Sequence, residues 1–248
     1  MKICVIIPAR YQSSRFEGKP LADINGRPMI WWVYNSVKKS KKIDKVIIAI
    51  DDERIAKVCD QYKLPYVYTS SDHQTSTQRV HEVATKEVFD YYICVNGDEP
   101  LIDYRVIESI IPEEIQSTKL YVSNLMTKII NPAEVIDGSN IKVAFNSNME
   151  AIFMSRSPIP YPKSSLEYNY YKHVGVLCYN KLALDYFSNT PKGSLEKIED
   201  INELRFLENS IPINMKDVET KVLSVDTPKD LEYIKNYLIE KNISYENI

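Results

Sequence analysis

Apolar residues fall along this chain in two alternating patterns. Residues 2–8 form an almost continuous apolar, β-branched run, as expected of a strand buried on both faces. Residues 45–50 and 91–95 repeat it, and residues 65–68 read as a shorter strand. Between these runs, residues 28–40, 53–62, 75–87 and 104–115 carry helical spacing. Strands alternating with helices predict right-handed βαβ units, hence an α/β fold: a mostly parallel sheet with helices on both faces. The second half changes character. Residues 120–126, 141–145, 151–154 and 171–179 read as strands without long helices between them, and 195–208 and 227–240 read as helices. The expected organisation is an α/β lobe from residues 1–120 and 171–248, with a smaller mixed-sheet lobe at 121–170.

Composition narrows the partners. A chain of 248 residues, 44% hydrophobic, can bury a substantial core. Its net charge of −3 gives no electrostatic reason to expect nucleic acid or an anionic membrane. A polyanionic ligand would therefore need a local cluster of cations. Cys4, Cys59, Cys94 and Cys178 are scattered with no CxxC pair, and buried reduced thiols are expected. The first apolar run is too short for a signal peptide, and no stretch approaches the ~18 apolar residues of a membrane span. A cytoplasmic protein, not inserted in a membrane, is expected.

In parallel sheets ligands bind outside the carboxyl ends of the strands, so the loops after residues 7, 50 and 95 carry the most information. The first contains Arg10, Arg15 and Lys19, three cations directly after a buried strand. Such a loop suits a polyphosphate, because each guanidinium can grip phosphate oxygens in a fork. It lacks the first glycine of a Walker loop, Pro20 stands where that loop has its metal-binding hydroxyl, and the glycines of a dinucleotide fingerprint are missing. The alternative is a basic surface loop with ordinary ion pairs. The loop after residue 95 reads Asn96-Gly97-Asp98-Glu99-Pro100. An acidic residue there, facing the cations, is where magnesium would neutralise a triphosphate; the alternative is a polar turn. Asp226 lies between a short apolar strand and a helix opening on Pro228; it is a candidate second metal carboxylate, and Asp226 or Thr227 is the candidate N-cap, a role that need not exclude the first. His73, His81 and His173 have no metal-ligand spacing, and His173 reads as a satisfied strand histidine or a substrate donor.

Taken in order, these motifs resemble one family. Ile6-Ile7-Pro8-Ala9-Arg10 through Gly18-Lys19-Pro20-Leu21, then Asp72-His73-Gln74-Thr75, Gly97-Asp98-Glu99-Pro100, Ser155-Arg156, His173-Val174-Gly175 and Val225-Asp226-Thr227-Pro228 are similar to the CMP-Kdo synthetases, the 3-deoxy-manno-octulosonate cytidylyltransferases. The likeness covers nearly the whole chain. It implies a fold of the nucleotide-diphospho-sugar transferase type and transfer of CMP from CTP to a small acidic acceptor, with Mg2+ as cofactor. It further implies nucleotide contacts from Ala9, Arg10, Arg15, Lys19, Thr75, Arg79, Gly97 and Asp98. Lys19, Asp98, Asp226 and Arg10 would act in the transfer, with magnesium on Asp98 and Asp226. Asn96, Arg156, His173, Asn202 and Glu203 would face the acceptor, and the smaller lobe would form a homodimer. The product would feed lipopolysaccharide or capsule synthesis. The departures cluster. The family's Ser-Gly-Thr-acid-Arg is Thr75-Ser76-Thr77-Gln78-Arg79 here, a Gln is shortened to Asn96, and Leu-Glu-Gln-Leu-Arg becomes Ile201-Asn202-Glu203-Leu204-Arg205. Several lie on the acceptor side, so the implied acceptor is 3-deoxy-manno-octulosonate or a different, related acid. A glycosyltransferase with a metal-binding acidic turn, or a nucleotide-binding regulator without turnover, are the competing readings.

Overall fold

Along the first strand every residue from Ile3 to Ile7 is buried, and successive side chains enter opposite cores: Ile3, Val5 and Ile7 one, Cys4 and Ile6 the other. That two-sided burial follows from the unbroken apolar run and fixes this strand at the centre of a sheet covered on both faces. The computed structural model describes residues 1–13, 16–164, 168–220 and 223–247. In chain order it contains β1 (Ile3–Ala9), β2 (Asp23–Ile24), β3 (Arg27–Pro28), α1 (Met29–Lys38), β4 (Lys45–Ile50), α2 (Glu53–Tyr62), β5 (Tyr66–Tyr68), α3 (Ser76–Lys86), β6 (Tyr91–Val95) and α4 (Tyr104–Glu108). There follow β7 (Val122–Lys128), α5 (Ala133–Ile136), β8 (Lys142–Phe145), β9 (Ala151–Ser155), β10 (Tyr171–Tyr179), α6 (Lys181–Asn189), α7 (Ser194–Glu199), α8 (Leu204–Leu207), β11 (Asn214–Asp217) and α9 (Pro228–Glu240).

The main sheet runs β11-β7-β10-β6-β1-β4-β5, with β8 and β9 attached through β10. Within that main order, β10 alone runs against its neighbours β6 and β7; the other pairings are parallel. Helices α1, α2 and α4 cover one face through Ile30, Val33, Ile55, Cys59 and Ile107. The other face packs on α3, α6 and α8 through Val80, Val83, Leu184, Phe187 and Phe206. All four cysteines are buried and free, matching the expectation. The stretch 121–170 supplies β7 to the main sheet, then α5 and the β8–β9 hairpin. Among the described residues, no helix is long and apolar enough to cross a membrane.

Two expected helices are different. The helix expected over 104–115 ends at Glu108. Ser109, Ile110 and Ile111 donate to carbonyls three residues back, a tightened turn ahead of Pro112, which disfavours helical geometry in the residue before it. The single helix expected over 195–208 is α7 and α8, broken at Asp200, whose φ is 50°. The cause is a buried ion pair: Arg205 grips Glu196 through Nη2–Oε1 at 2.6 Å and Nε–Oε2 at 2.7 Å. In one continuous helix these residues would be about 13 Å apart along the axis, so the pair requires the chain to fold back.

Because the strands flanking β6 include one reversed strand, the ligand-facing edge receives the C-terminal ends of β1, β4 and β6 and the start of β10. The register aligns Val176 with Val95, which sets Gly175 beside Asn96.

Candidate active site

A cleft of about 580 Å³ opens at this edge, with Arg10, Lys19, Arg79 and Arg156 among its lining residues. Its first wall is the loop leaving β1. The loop closes on itself where the Gly18 N–H donates to the Tyr11 carbonyl at 2.9 Å, and it turns into a short 3-10 segment, Lys19–Leu21, with Pro20 buried. Tyr11 anchors the loop twice more. Its N–H donates to Asp51 Oδ1 at 3.1 Å, and the Arg54 guanidinium lies 3.3 Å from its ring centroid. Asp51, the residue just after β4, accepts from Arg79 Nη2 at 2.9 Å through its other oxygen. Arg79 also donates to Thr69 Oγ1 at 2.5 Å; its burial lowers its pKa, and Asp51 works against that effect. One carboxylate thus ties the cationic loop to the arginine across the cleft.

The second wall is the start of α3. Thr75 caps the helix, accepting from the Gln78 N–H at 3.1 Å, and Gln78 Oε1 accepts from the N–H groups of Thr75 and Gln74 at 3.2 and 2.9 Å. Gln78, where the family usually has an acid, therefore keeps the capping box without the charge. Just before it, His73 and the Ser70 N–H both bond Glu82. Burial works against that carboxylate, but hydrogen bonds from Lys86, Ser70 and His73 outweigh it and hold it at about 2.

The third wall brings the two predicted carboxylates together. Lys19 Nζ lies 2.6 Å from Asp98 Oδ2 and 3.4 Å from Asp226 Oδ1. The loops carrying them are stitched by the Val225 N–H, which donates to the Asp98 carbonyl at 2.9 Å. Thr227, with Asp230, caps α9, so Asp226 is left facing Lys19 and is not the cap. Gly97 is demanded by space: a Cβ there would sit 2.8 Å from the Pro8 carbonyl oxygen. Next to it, burial and then Asp98 push the Glu99 carboxyl up to about 7, while Ser224 Oγ donates to it at 3.2 Å.

At the far end, Asn96 and Arg156 line the cleft with Asp200 and Asn202. Asn96 lies against Gly175, where a Cβ would meet its Nδ2 at 2.6 Å. Arg156 donates from Nε to the Glu199 carbonyl, from Nη1 to Gly138 and from Nη2 to Asp200, at 2.7, 3.0 and 3.0 Å. A guanidinium has five N–H groups, so two have no partner among the described residues. His173 Nδ1 lies 2.8 Å from Asn124 Oδ1, and Asn124 Nδ2 donates to the carbonyls of Val174 and Val176. This network assigns the ring proton to Nδ1. Burial brings the His173 pKa down to about 4, so the ring is neutral. Glu203 is buried, and desolvation pushes its carboxyl up to about 7.

Of the residues singled out in the sequence, Arg10, Lys19, Thr75, Arg79, Asn96, Gly97, Asp98, Arg156 and Asn202 share this cleft, and Asp226 joins through Lys19. Ala9 belongs to the core at the end of β1. Arg15 lies outside the described residues. Asp51 and Asp200 were not singled out in the sequence, Gln74 figures there only within a motif, and His173 and Glu203 are not among the lining residues of the cleft. Asp51 had a signal, its place directly after a parallel strand; Asp200 had none, because an unbroken helix was expected there. Asp98 and Asp226 are hard oxygen donors on opposed loops, and no cluster of three or more such ligands occurs among the described residues. Magnesium is commonly held by one or two carboxylates plus substrate phosphates, so this pair beside a cationic loop fits it.

A family model for cytidylyltransferases matches residues 4–246. The 3-deoxy-manno-octulosonate cytidylyltransferase of Fusobacterium nucleatum is 40% identical over 244 residues, 98% of this chain and 99% of that protein. The 8-amino-3,8-dideoxy-manno-octulosonate cytidylyltransferase of a Shewanella species is 37% identical over 236 residues, 93% of this chain and 96% of that protein. A solved structure of CMP:2-keto-3-deoxy-manno-octonic acid synthetase complexed with CTP superposes with a TM-score of 0.91 at 35% identity, covering 97% of this chain and 100% of that one. With a family model over residues 4–246, near-full-length relatives at 37 and 40% identity and a fold match at a TM-score of 0.91, the chain belongs to the cytidylyltransferase family of the CMP-Kdo synthetase type.

Proposed function

We propose that the protein transfers the CMP group of CTP to 3-deoxy-manno-octulosonate or a close analogue, releasing pyrophosphate. The observation that carries this reading is the meeting of Lys19 with Asp98 and Asp226 beside the Arg10 loop. That arrangement suits a triphosphate whose α-phosphorus is to be attacked. An acceptor hydroxyl oxygen bonds to the α-phosphorus, the bond from that phosphorus to the bridging oxygen breaks, and pyrophosphate leaves while the hydroxyl proton passes to solvent. Arg10 and Lys19 hold and neutralise the phosphates, and Arg79, locked by Asp51 and Thr69, faces the nucleotide. Arg156 turns its two remaining N–H groups to the acceptor carboxylate, and the bare Nε2 of His173 accepts from an acceptor hydroxyl. Chemistry of this kind rests on positioning and charge neutralisation. Asp98 and Asp226 would hold magnesium, which when bound supplies charge neutralisation on the phosphates.

The departures at Asn96 and Asn202, which line the cleft with Arg156, and at the buried Glu203 next in the chain support an acceptor range that includes modified acids. Names of near-full-length relatives cover both the parent acid and its 8-amino form. Ile130, Ile136, Ile152 and Tyr161, exposed by 89, 78, 62 and 84%, support a homodimer formed through the 121–170 stretch. The setting proposed is the cytoplasm, with the product used in lipopolysaccharide or capsule synthesis. The test is pyrophosphate release from CTP, magnesium and 3-deoxy-manno-octulosonate, with Asp98→Asn as the control. Turnover by the parent protein and its loss in the variant, at unchanged thermal stability, are expected. Near-normal rates in Asp98→Asn would remove Asp98 from the reaction.

A further inference from the structure

Asp200 stands at the turn that the Arg205–Glu196 pair imposes, but that pair does not call for an aspartate there. It ends α7 in the left-handed conformation, φ 50° and ψ 50°, a region L side chains enter reluctantly and glycine or asparagine enter more readily. Its charge is also misplaced for a helix terminus, where exposed carbonyls disfavour an anion. Arg156 answers those carbonyls by bonding Glu199 and Asp200 through their backbone oxygens. The Asp200 carboxylate itself has no hydrogen-bond or ion-pair partner among the described residues, and the residue is exposed on the lining of the cleft. A neutral asparagine would cap the helix better. The turn needs a residue that accepts a positive φ, but it does not need a charge, and an unpaired charge on the lining of a cleft points to a ligand.

We infer that Asp200 is an acceptor-binding residue: its carboxylate takes hydrogen bonds from hydroxyl or amino groups on the sugar acid's arm, while Arg156 takes the acid group. This rests on the proposed function and extends it to what distinguishes one acceptor from another. The bond from Arg156 to the Asp200 carbonyl holds a cationic and an anionic residue at the same end of the cleft, whose lining they share. A ligand with a carboxylate at one end and hydrogen-bond donors at the other matches that pair. A simple dicarboxylate does not, because its second acid group would meet Asp200 with like charge.

The experiment compares the full chain with Asp200→Asn in steady-state pyrophosphate release, varying CTP, 3-deoxy-manno-octulosonate and its 8-amino form separately. Losing a charge-assisted hydrogen bond should raise the acceptor KM about tenfold while leaving the CTP KM within about twofold. The melting temperature should stay level or rise by about 2–4 °C, because the left-handed site and the helix end both prefer asparagine. A larger effect on the 8-amino acid identifies an ammonium as the group read; equal effects identify hydroxyls. Active wild type with an acceptor KM unmoved by the substitution, whatever the melting temperature does, overturns the inference alone and leaves Asp200 a helix cap. Wild type that releases no pyrophosphate with either acid overturns the proposed function and this inference with it.

Discussion

Gly97→Ala places one methyl group where the sheet edge has no room. The Cβ would stand 2.8 Å from the Pro8 carbonyl oxygen, with Ile7 Cγ2 and Ile30 Cδ1 at 3.7 and 3.9 Å behind it. The nearest atom is backbone, on the central strand, so it cannot swing aside as a side chain would. To reach ordinary contact, the Asn96–Pro100 loop must retreat from β1 by about half an ångström, and overpacking of this kind costs about 1–3 kcal/mol. Asp98 moves with that loop, away from Lys19, which now sits 2.6 Å from it. Misplacing a catalytic group by about 1 Å can cost about 100-fold in rate, so roughly a tenfold loss of kcat is expected from half that shift. The pair of assays is urea unfolding for stability and pyrophosphate release at saturating CTP for turnover. A variant as stable as the parent and within twofold of its kcat would refute the claim that close packing of these two loops positions Asp98.

Four further outcomes follow from the same geometry. Asp51→Ala frees both the Tyr11 N–H and Arg79 and should raise the CTP KM about tenfold with a smaller change in the acceptor KM, read from initial rates. Arg205→Ala leaves Glu196 buried without its partner and should cost about 3–5 kcal/mol in urea unfolding, as one-sided removal of buried pairs does. Burial raises the Glu203 carboxyl from 4.5 to about 7, so the folded chain holds that proton more tightly than the unfolded one; the contribution is full below about pH 4.5 and is lost as pH rises through 7, about 3 kcal/mol in all. Glu203→Gln should abolish that slope and be the more stable form at pH 8.5, in denaturant titrations across pH. Lys19→Met leaves Asp98 and Asp226 facing each other without their shared cation and should reduce kcat by at least a hundredfold in the pyrophosphate assay, while the CTP KM changes less.

The first half of the fold was legible because its strands are buried on both faces, which leaves unbroken apolar runs at residues 3–7, 47–50 and 91–95. The cationic loop and Asp98 were legible for a related reason: in a parallel sheet the ligand edge lies at known strand ends. The break at Asp200 was not, since the helical spacing continues through it and the force that breaks the helix is a long-range pair, Arg205 with Glu196. Asp51 stood in a telling position directly after β4, but nothing local marked it as the partner of the Tyr11 N–H and of Arg79, both far off in the chain. Glu203 stands where the family has glutamine, and only burial reveals that a carboxyl pushed up to about 7 can serve in a neutral residue's place.

Lys19 reaches one carboxylate 79 residues along the chain and another 207 residues along it. That separation has a consequence for biosynthesis. During translation the cationic loop emerges with the first strand, and Asp98 follows after β6. The segment bearing Asp226 is made after all the strands of the sheet, and only its docking, through Val225 on the Asp98 carbonyl, completes the opposed pair. A chain made only through β11 thus carries the Lys19 loop and Asp98 without the second acid. Under the proposed function, competence for transfer waits for that docking, the last of the contacts around Lys19 to become available.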